Sequence, residues 1–128
     1  MGSSLNKIEG INLKNNSGIS VNKGDCVIID GNAVDAFTVT GSIALSNTII
    51  GVVLDSGGIS NGGSGLICIG GYCPQVNLLT GSNIGDKIYL SSVSRKAMPH
   101  TVPLVGDFGQ VLNSGLTPDA ILWAWPKQ

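Results

Sequence analysis

Charge is what this chain has least of. Asp, Glu, Lys and Arg make up 12% of its 128 residues, about half the usual share of a soluble domain. The net charge is −1. Arg95-Lys96 is the only adjacent basic pair, so the chain has no electrostatic footprint for a nucleic-acid backbone. Its two Trp, two Tyr and two Phe are not interleaved with basic residues, as base-stacking platforms require. No apolar run approaches the ~20 residues that cross a bilayer, and the start of the chain lacks the apolar core of a signal peptide. These absences predict a chain made in the cytoplasm, with neither nucleic acid nor membrane as a partner.

Groups for chemistry are just as scarce. His100 is the sole histidine and Glu9 the sole glutamate. His100 lies between Pro99 and Thr101 and reads as a loop histidine, satisfied or solvated. A Ser/His/Asp triad would have to use it, and no G-x-S-x-G elbow supports one. The glycine-rich stretch Asn61–Gly65 lacks the Lys-Ser/Thr ending of a phosphate loop. A calcium site would have to draw on Asp25, Asp30, Asp86 or Asp107, but no D-x-D-x-D-G loop is present. Cys26, Cys68 and Cys73 have no C-x-x-C spacing for zinc. Their odd number argues against a full disulfide framework, and reduced core thiols are the plainer reading. Cys68 and Cys73 are separated by Ile69-Gly70-Gly71-Tyr72 and can meet across a Gly-Gly turn. The expectation is a protein that is not an enzyme, with no cofactor and no metal.

Helical periodicity is missing as well: nowhere do apolar residues recur at i, i+3, i+4 and i+7 over a glycine-free stretch. What the chain has instead is glycine, 19 residues, roughly twice average usage, and a unit used twice. Lys23-Gly24-Asp25-Cys26-Val27-Ile28-Ile29 is answered by Ile84-Gly85-Asp86-Lys87-Ile88-Tyr89-Leu90. Ile50-Gly51-Val52-Val53-Leu54 is answered by Phe108-Gly109-Gln110-Val111-Leu112. Leu66-Ile67-Cys68-Ile69 is answered by Ala120-Ile121-Leu122-Trp123. Gly24 and Gly85 are 61 residues apart, Gly51 and Gly109 58, and Leu66 and Ile121 55. Each Gly-Asp reads as a strand starter: glycine takes positive φ freely, and the aspartate accepts hydrogen bonds from nearby backbone N–H groups. Short strands expected at Cys26–Ile29, Ala36–Thr40, Thr48–Leu54, Leu66–Ile69, Gln75–Leu78, Lys87–Leu90, Gly109–Leu112 and Ala120–Trp125 predict an all-β fold. That fold is a compact β-sandwich or β-barrel (tulip-like) with an internal pseudo-repeat, about residues 21–73 and 82–125, in one β domain spanning 21–128.

The two ends read differently from the middle. Residues 1–20 form an expected N-terminal arm. Ile11 and Leu13 alternate with polar neighbours as in an edge strand, which either closes the domain's own sheet or extends to a neighbour. Lys7, Ile8, Ile11 and Leu13 are the candidate partner contacts. At the other end, Ile121, Trp123 and Trp125 fall on one side of an extended strand, and Leu122 and Ala124 on the other. This is either a core strand or an interface anchor, Trp being enriched in binding hot spots. Trp123 and Trp125 are the candidates for subunit packing.

The second copy carries a resemblance. Ile84-Gly85-Asp86-Lys87-Ile88-Tyr89-Leu90-Ser91-Ser92, then Ala97-Met98, a proline-containing loop, Phe108-Gly109-Gln110-Val111-Leu112 and Ala120-Ile121-Leu122-Trp123 resemble a repeat of tailed-bacteriophage virion proteins. That repeat occurs in small capsid decoration (cement) proteins and in tail-fibre modules. The match spans about 45 residues; the first copy, with Cys26-Val27-Ile28-Ile29 in place of the Tyr-Leu-Ser run, follows it more loosely. The resemblance implies a structural virion protein that decorates and stabilises the phage capsid. Its partners would be the major capsid protein and, as a homotrimer, other copies of itself, and its place the capsid's outer surface. A tail or fibre module, structural or receptor-binding, and a carbohydrate-binding β domain are the alternatives.

Overall fold

The computed structural model describes residues 7–41, 49–102 and 106–123. Among these residues there are nine strands and no helix. They are β1 (Ile8–Asn15), β2 (Cys26–Ile29), β3 (Ala36–Thr38), β4 (Ile50–Val53), β5 (Ser64–Cys73), β6 (Lys87–Leu90), β7 (Ala97–His100), β8 (Gly109–Val111) and β9 (Ala120–Leu122). The sheet runs β1-β3-β2-β4-β5-β9-β8-β6-β7, and β1 also pairs with β5. That extra pairing closes β1, β3, β2, β4 and β5 into a five-stranded barrel, which removes the free edges an open sheet would present.

The repeated sequence is a repeated topology. The order β3-β2-β4-β5 in the first lobe returns as β7-β6-β8-β9 in the second. The launching turns match atom for atom. Asn22 N donates to Asp25 Oδ2 at 2.8 Å and Asn83 N to Asp86 Oδ2 at 2.9 Å. Asp25 N donates to Asn22 O at 3.0 Å and Asp86 N to Asn83 O at 3.1 Å. Gly24 and Gly85 hold φ of 86° and 87°, a conformation that only glycine adopts without strain.

The second lobe also has a counterpart of β1. β1 runs parallel to β3 through Asn15 and Phe37, and Asn16 N donates to Phe37 O. Leu78 forms a parallel bridge with Ala97, and Leu79 N donates to Ala97 O. On its other side this segment bonds the stretch before β9, Val76 N to Pro118 O and Leu78 N to Leu116 O. The second lobe is thus wrapped by residues that follow directly from β5.

Two cores result. Leu13, Val21, Val27, Phe37, Val53, Ile59 and Ile67 fill the first barrel. A larger cluster fills the second lobe with Val76, Leu78, Ile88, Phe108, Val111 and Leu122, and it also takes in Cys26, Ile50, Val52 and Cys68 from the opposite side of β2, β4 and β5. Alternation along each strand produces this division: Val27 and Val53 enter the barrel, while Cys26 and Val52 turn to the other lobe.

Of the two courses open to the arm, the chain takes the first: from Ile8 to Lys14 it pairs antiparallel with β5 and closes the chain's own sheet. Three expectations are revised by this arrangement. The Gly70-Gly71 turn is not a turn, since β5 runs through it to Cys73, with a register shift opposite Glu9/Gly10 and Gly71 at φ 73°. Pro99 and His100 lie in β7 rather than in a loop; β7 ends the sheet order, where a proline's missing donor is tolerated. β9 ends at Leu122, and Trp125 lies outside the described residues.

Gly51 and Gly109 occupy the same place in β4 and β8, and the neighbouring strand explains both. A Cβ on Gly51 would lie 2.4 Å from Ile67 Cγ2, and one on Gly109 would lie 2.7 Å from Ile121 O and 3.0 Å from Leu122 Cδ2. Gly51→Ala and Gly109→Ala are each expected to destabilise the protein by roughly 1–3 kcal/mol through overpacking, read as a lower urea midpoint at unchanged slope. Midpoints equal to the parent's in both variants would refute the close approach.

Candidate functional site

The lobes meet through a polar lock over an apolar floor. The floor is the outer row of the first lobe, Cys26, Ile50, Val52 and Cys68, packed against Cys73 and Val76 in one cluster. Above it, Asn77 Nδ2 donates to Asp25 Oδ1 at 2.9 Å and to Lys23 O at 3.0 Å. Gln75 Nε2 reaches Lys23 O at 3.3 Å and Asn77 Oδ1 at 2.9 Å. Backbone bonds run from Asn77 N to Gly24 O at 2.8 Å and from Cys26 N to Arg95 O at 2.9 Å. Arg95 Nη1 stands 3.8 Å from Asp25 Oδ2. Asp25 therefore does two things: it fixes the launching turn and it holds the second lobe.

The same row on the second lobe differs. By the spacing of the repeat, Ile84, Gly85, Gln110, Leu112, Ile121 and Trp123 stand where Lys23, Gly24, Val52, Leu54, Leu66 and Cys68 stand in the first lobe. They line a shallow apolar groove of about 390 Å³. Ile84 is 74% exposed and Leu112 45%, whereas Val52 and Cys68 are sealed. Side chains of Gln75 and Asn77 crowd Gly24, while only Gln110 Nε2 comes near Gly85. Among the described residues no Asp, Glu, Lys or Arg lines the groove. An apolar concave patch of this kind is a candidate binding surface.

The candidate contact residues separate. Ile8 and Ile11 are exposed on β1, at 44% and 40%, and Lys7 is exposed just before it. Leu13 is not a surface contact: it packs inside the first barrel with Val27, Phe37 and Ile67. Trp123 lines the groove. The groove itself was not visible in the sequence; its signal is the exchange of Val52 for Gln110 and of Cys68 for Trp123 at matched places.

His100 and the thiols are held inside the fold. His100 Nε2 contacts Asp107 Oδ1 at 2.5 Å, and the ring meets Tyr89 edge-on at 4.9 Å between centroids. His100 Nδ1 is buried with no hydrogen-bond partner among the described residues. Among the described residues no three His, Cys, Asp or Glu side chains converge as a metal site. All three cysteines are free and buried. Burial pushes the Cys26 thiol up. The hydrogen bond shared by Cys68 and Cys73 draws the Cys68 thiol down and pushes Cys73 up.

Thiol reactivity then reports whether the joint stays shut. In the folded protein at pH 8, iodoacetamide is expected to label Cys68 first and Cys26 and Cys73 more slowly, with all three far below the rate in urea. Mass spectrometry of timed samples reads the order. Labelling of all three at the unfolded rate, with the circular dichroism unchanged, would contradict the sealed joint.

Compared with known protein families, curated proteins and solved structures, the chain matches none of them.

Proposed function

We propose that this chain is a structural protein of a tailed-phage virion, one that binds the assembled head lattice from outside and stabilises it. The observation that carries the reading is the combination of a doubled Gly-Asp strand unit, the sequence of whose second copy resembles a repeat of virion proteins, with apolar side chains left on the surface of a weakly charged body. Ile8 and Ile11 on β1, and Ile84, Leu112 and Leu116 on the second lobe, are each 40% exposed or more. Surfaces of that kind belong to proteins that are covered in use.

The mechanism is mass action. A protein that binds the assembled lattice, and not its separate subunits, lowers the free energy of the assembled state by the free energy of binding. Burying ~1,000 Å² of mostly apolar surface per contact yields ~25 kcal/mol gross at ~25 cal/mol/Å², most of it offset by ordering costs. Lys7, Ile8 and Ile11 form the contact with the major capsid protein in this proposal. The protein works as a homotrimer on the capsid's outer surface after synthesis in the host cytoplasm.

Virions assembled with and without the protein test the reading by heat. Those that carry it are expected to release their DNA at a higher temperature. Ile8→Lys and Ile11→Lys, both at exposed positions, are expected to weaken co-sedimentation with expanded heads about tenfold or more. Virions that lose nothing in its absence, together with heads that fail to bind it, would end the decoration reading and favour a tail or fibre module.

A further inference from the structure

The thiols are nucleophiles that the proposed function leaves unused, and β5 brings two of them together. Five residues of flat strand would hold the Cα atoms of Cys68 and Cys73 about 16 Å apart, with their side chains on opposite faces. β5 is not flat there. Its pairing with β1 passes from Cys68 to Gly70 and skips Ile69, and Gly71 turns the backbone at φ 73°. The skipped residue returns Cys68 and Cys73 to one face, where both are sealed at 0% exposure in the same core cluster. The bend wraps the strand around the sulfur of Cys68. It lies 3.3 Å from Gly70 O and 3.8 Å from Tyr72 O, the carbonyl of the peptide that leads into Cys73. The two thiols share a hydrogen bond.

We infer that Cys68 and Cys73 are a redox pair, which a peroxide converts to a disulfide, and that this bond latches the joint between the lobes. Cys68 belongs to the floor of the joint and Cys73 opens the segment that covers it, so one bond ties cover to floor. The step takes two thiols and one hydrogen peroxide. The sulfur of Cys68 attacks a peroxide oxygen and the O–O bond breaks. One oxygen stays on sulfur as a sulfenic acid, and the other takes up the thiol proton and departs as water. The sulfur of Cys73 then attacks that of Cys68, the S–O bond breaks, and the hydroxyl leaves with the Cys73 proton as a second water. Two cysteine sulfurs are oxidised and the peroxide is reduced to two waters.

The roles of the two sulfurs follow from their shared bond, which draws the Cys68 thiol down to attack and pushes Cys73 up to resolve. Cys26 takes no part. Val52 pairs with Cys26 on one side and Cys68 on the other and stands between them. Hydrogen peroxide is close to water in size and enters through small local openings, whereas a bulky disulfide oxidant needs the joint apart. In a reducing cytoplasm the pair stays as thiols, and in oxidising surroundings the latch closes. The inference concerns this chain alone and does not rest on the lattice reading.

The test treats the purified, reduced protein with hydrogen peroxide and alkylates the remaining thiols in urea. Cleavage before aspartate separates Cys26, in residues 25–29, from Cys68 and Cys73, both in residues 55–85. The peptide of residues 55–85 is expected to escape alkylation and to be about 2 Da lighter than its dithiol form, until dithiothreitol restores it. The peptide of residues 25–29 is expected to be alkylated as before. Iodoacetamide applied to the folded, oxidised protein is expected to label Cys26 about tenfold more slowly than in the reduced protein, because Cys26 lies on the latched floor. Cys73→Ala, checked for fold by circular dichroism, is expected to leave Cys68 without a resolving thiol, so that Cys68 gains oxygen instead. Thiols that persist in residues 55–85, oxygen added to both sulfurs with no crosslink, or a disulfide to Cys26 would each overturn the inference. A crosslinked protein whose Cys26 labels at the reduced rate would also overturn it, since the bond would then latch nothing.

Discussion

One strand must serve two lobes, and the rest of the structure follows from how it does so. Ile67 and Cys68 of β5 pair with β4, Gly71–Cys73 pair with β9, and β1 lies along nearly the whole length. The handover falls at Gly70-Gly71. A Cβ on Gly71 would sit 2.1 Å from Lys7 O, and its φ is 73°. A side chain there would push β1 away and strain the backbone together. With glycine, the strand leaves one lobe and enters the next without a loop, so the lobes share a wall and a core rather than a linker.

That shared wall explains how a chain with so little charge places the charge it has. Of eight acidic residues, Asp25, Asp30, Asp86 and Asp107 are buried. Each has a defined partner: Asn22 N, Asn32 N, Asn83 N and His100 respectively. A carboxylate used to fix a turn leaves the solvent face uncharged, and the apolar residues of that face are correspondingly prominent. Asp25 and Asp86 begin from one turn and diverge in what lies beyond it: Asp25 meets Asn77 and Arg95 across the joint, while Asp86 belongs to the turn beside the groove.

The strands read from alternation and turn residues were largely those the fold contains, because Gly-Asp, Asp30-Gly31 and the β-branched runs act locally. Partners were not legible. Ile11 and Leu13 alternate as a strand does, yet nothing within residues 1–20 says that Ser64–Cys73 waits to pair with them. β7 was hidden by Pro99, which reads as a strand breaker and is tolerated at the end of the sheet order. The groove was illegible for a different reason. Gln110 and Trp123 are unremarkable as residues; they acquire meaning only when β8 and β9 are laid over β4 and β5 and the sealed places of one lobe become the lining of a groove in the other.

The pairing of β1 with β5 gives the order of the chain a temporal sense. All five strands of the first barrel end by Cys73 in the chain, ahead of β6–β9, so synthesis from the N-terminus delivers the barrel's strands first. The outer row of Cys26, Ile50, Val52 and Cys68 is covered by residues from Cys73 onward. The second lobe therefore folds onto a template already set, and the direction of translation decides which lobe is mould and which is cast.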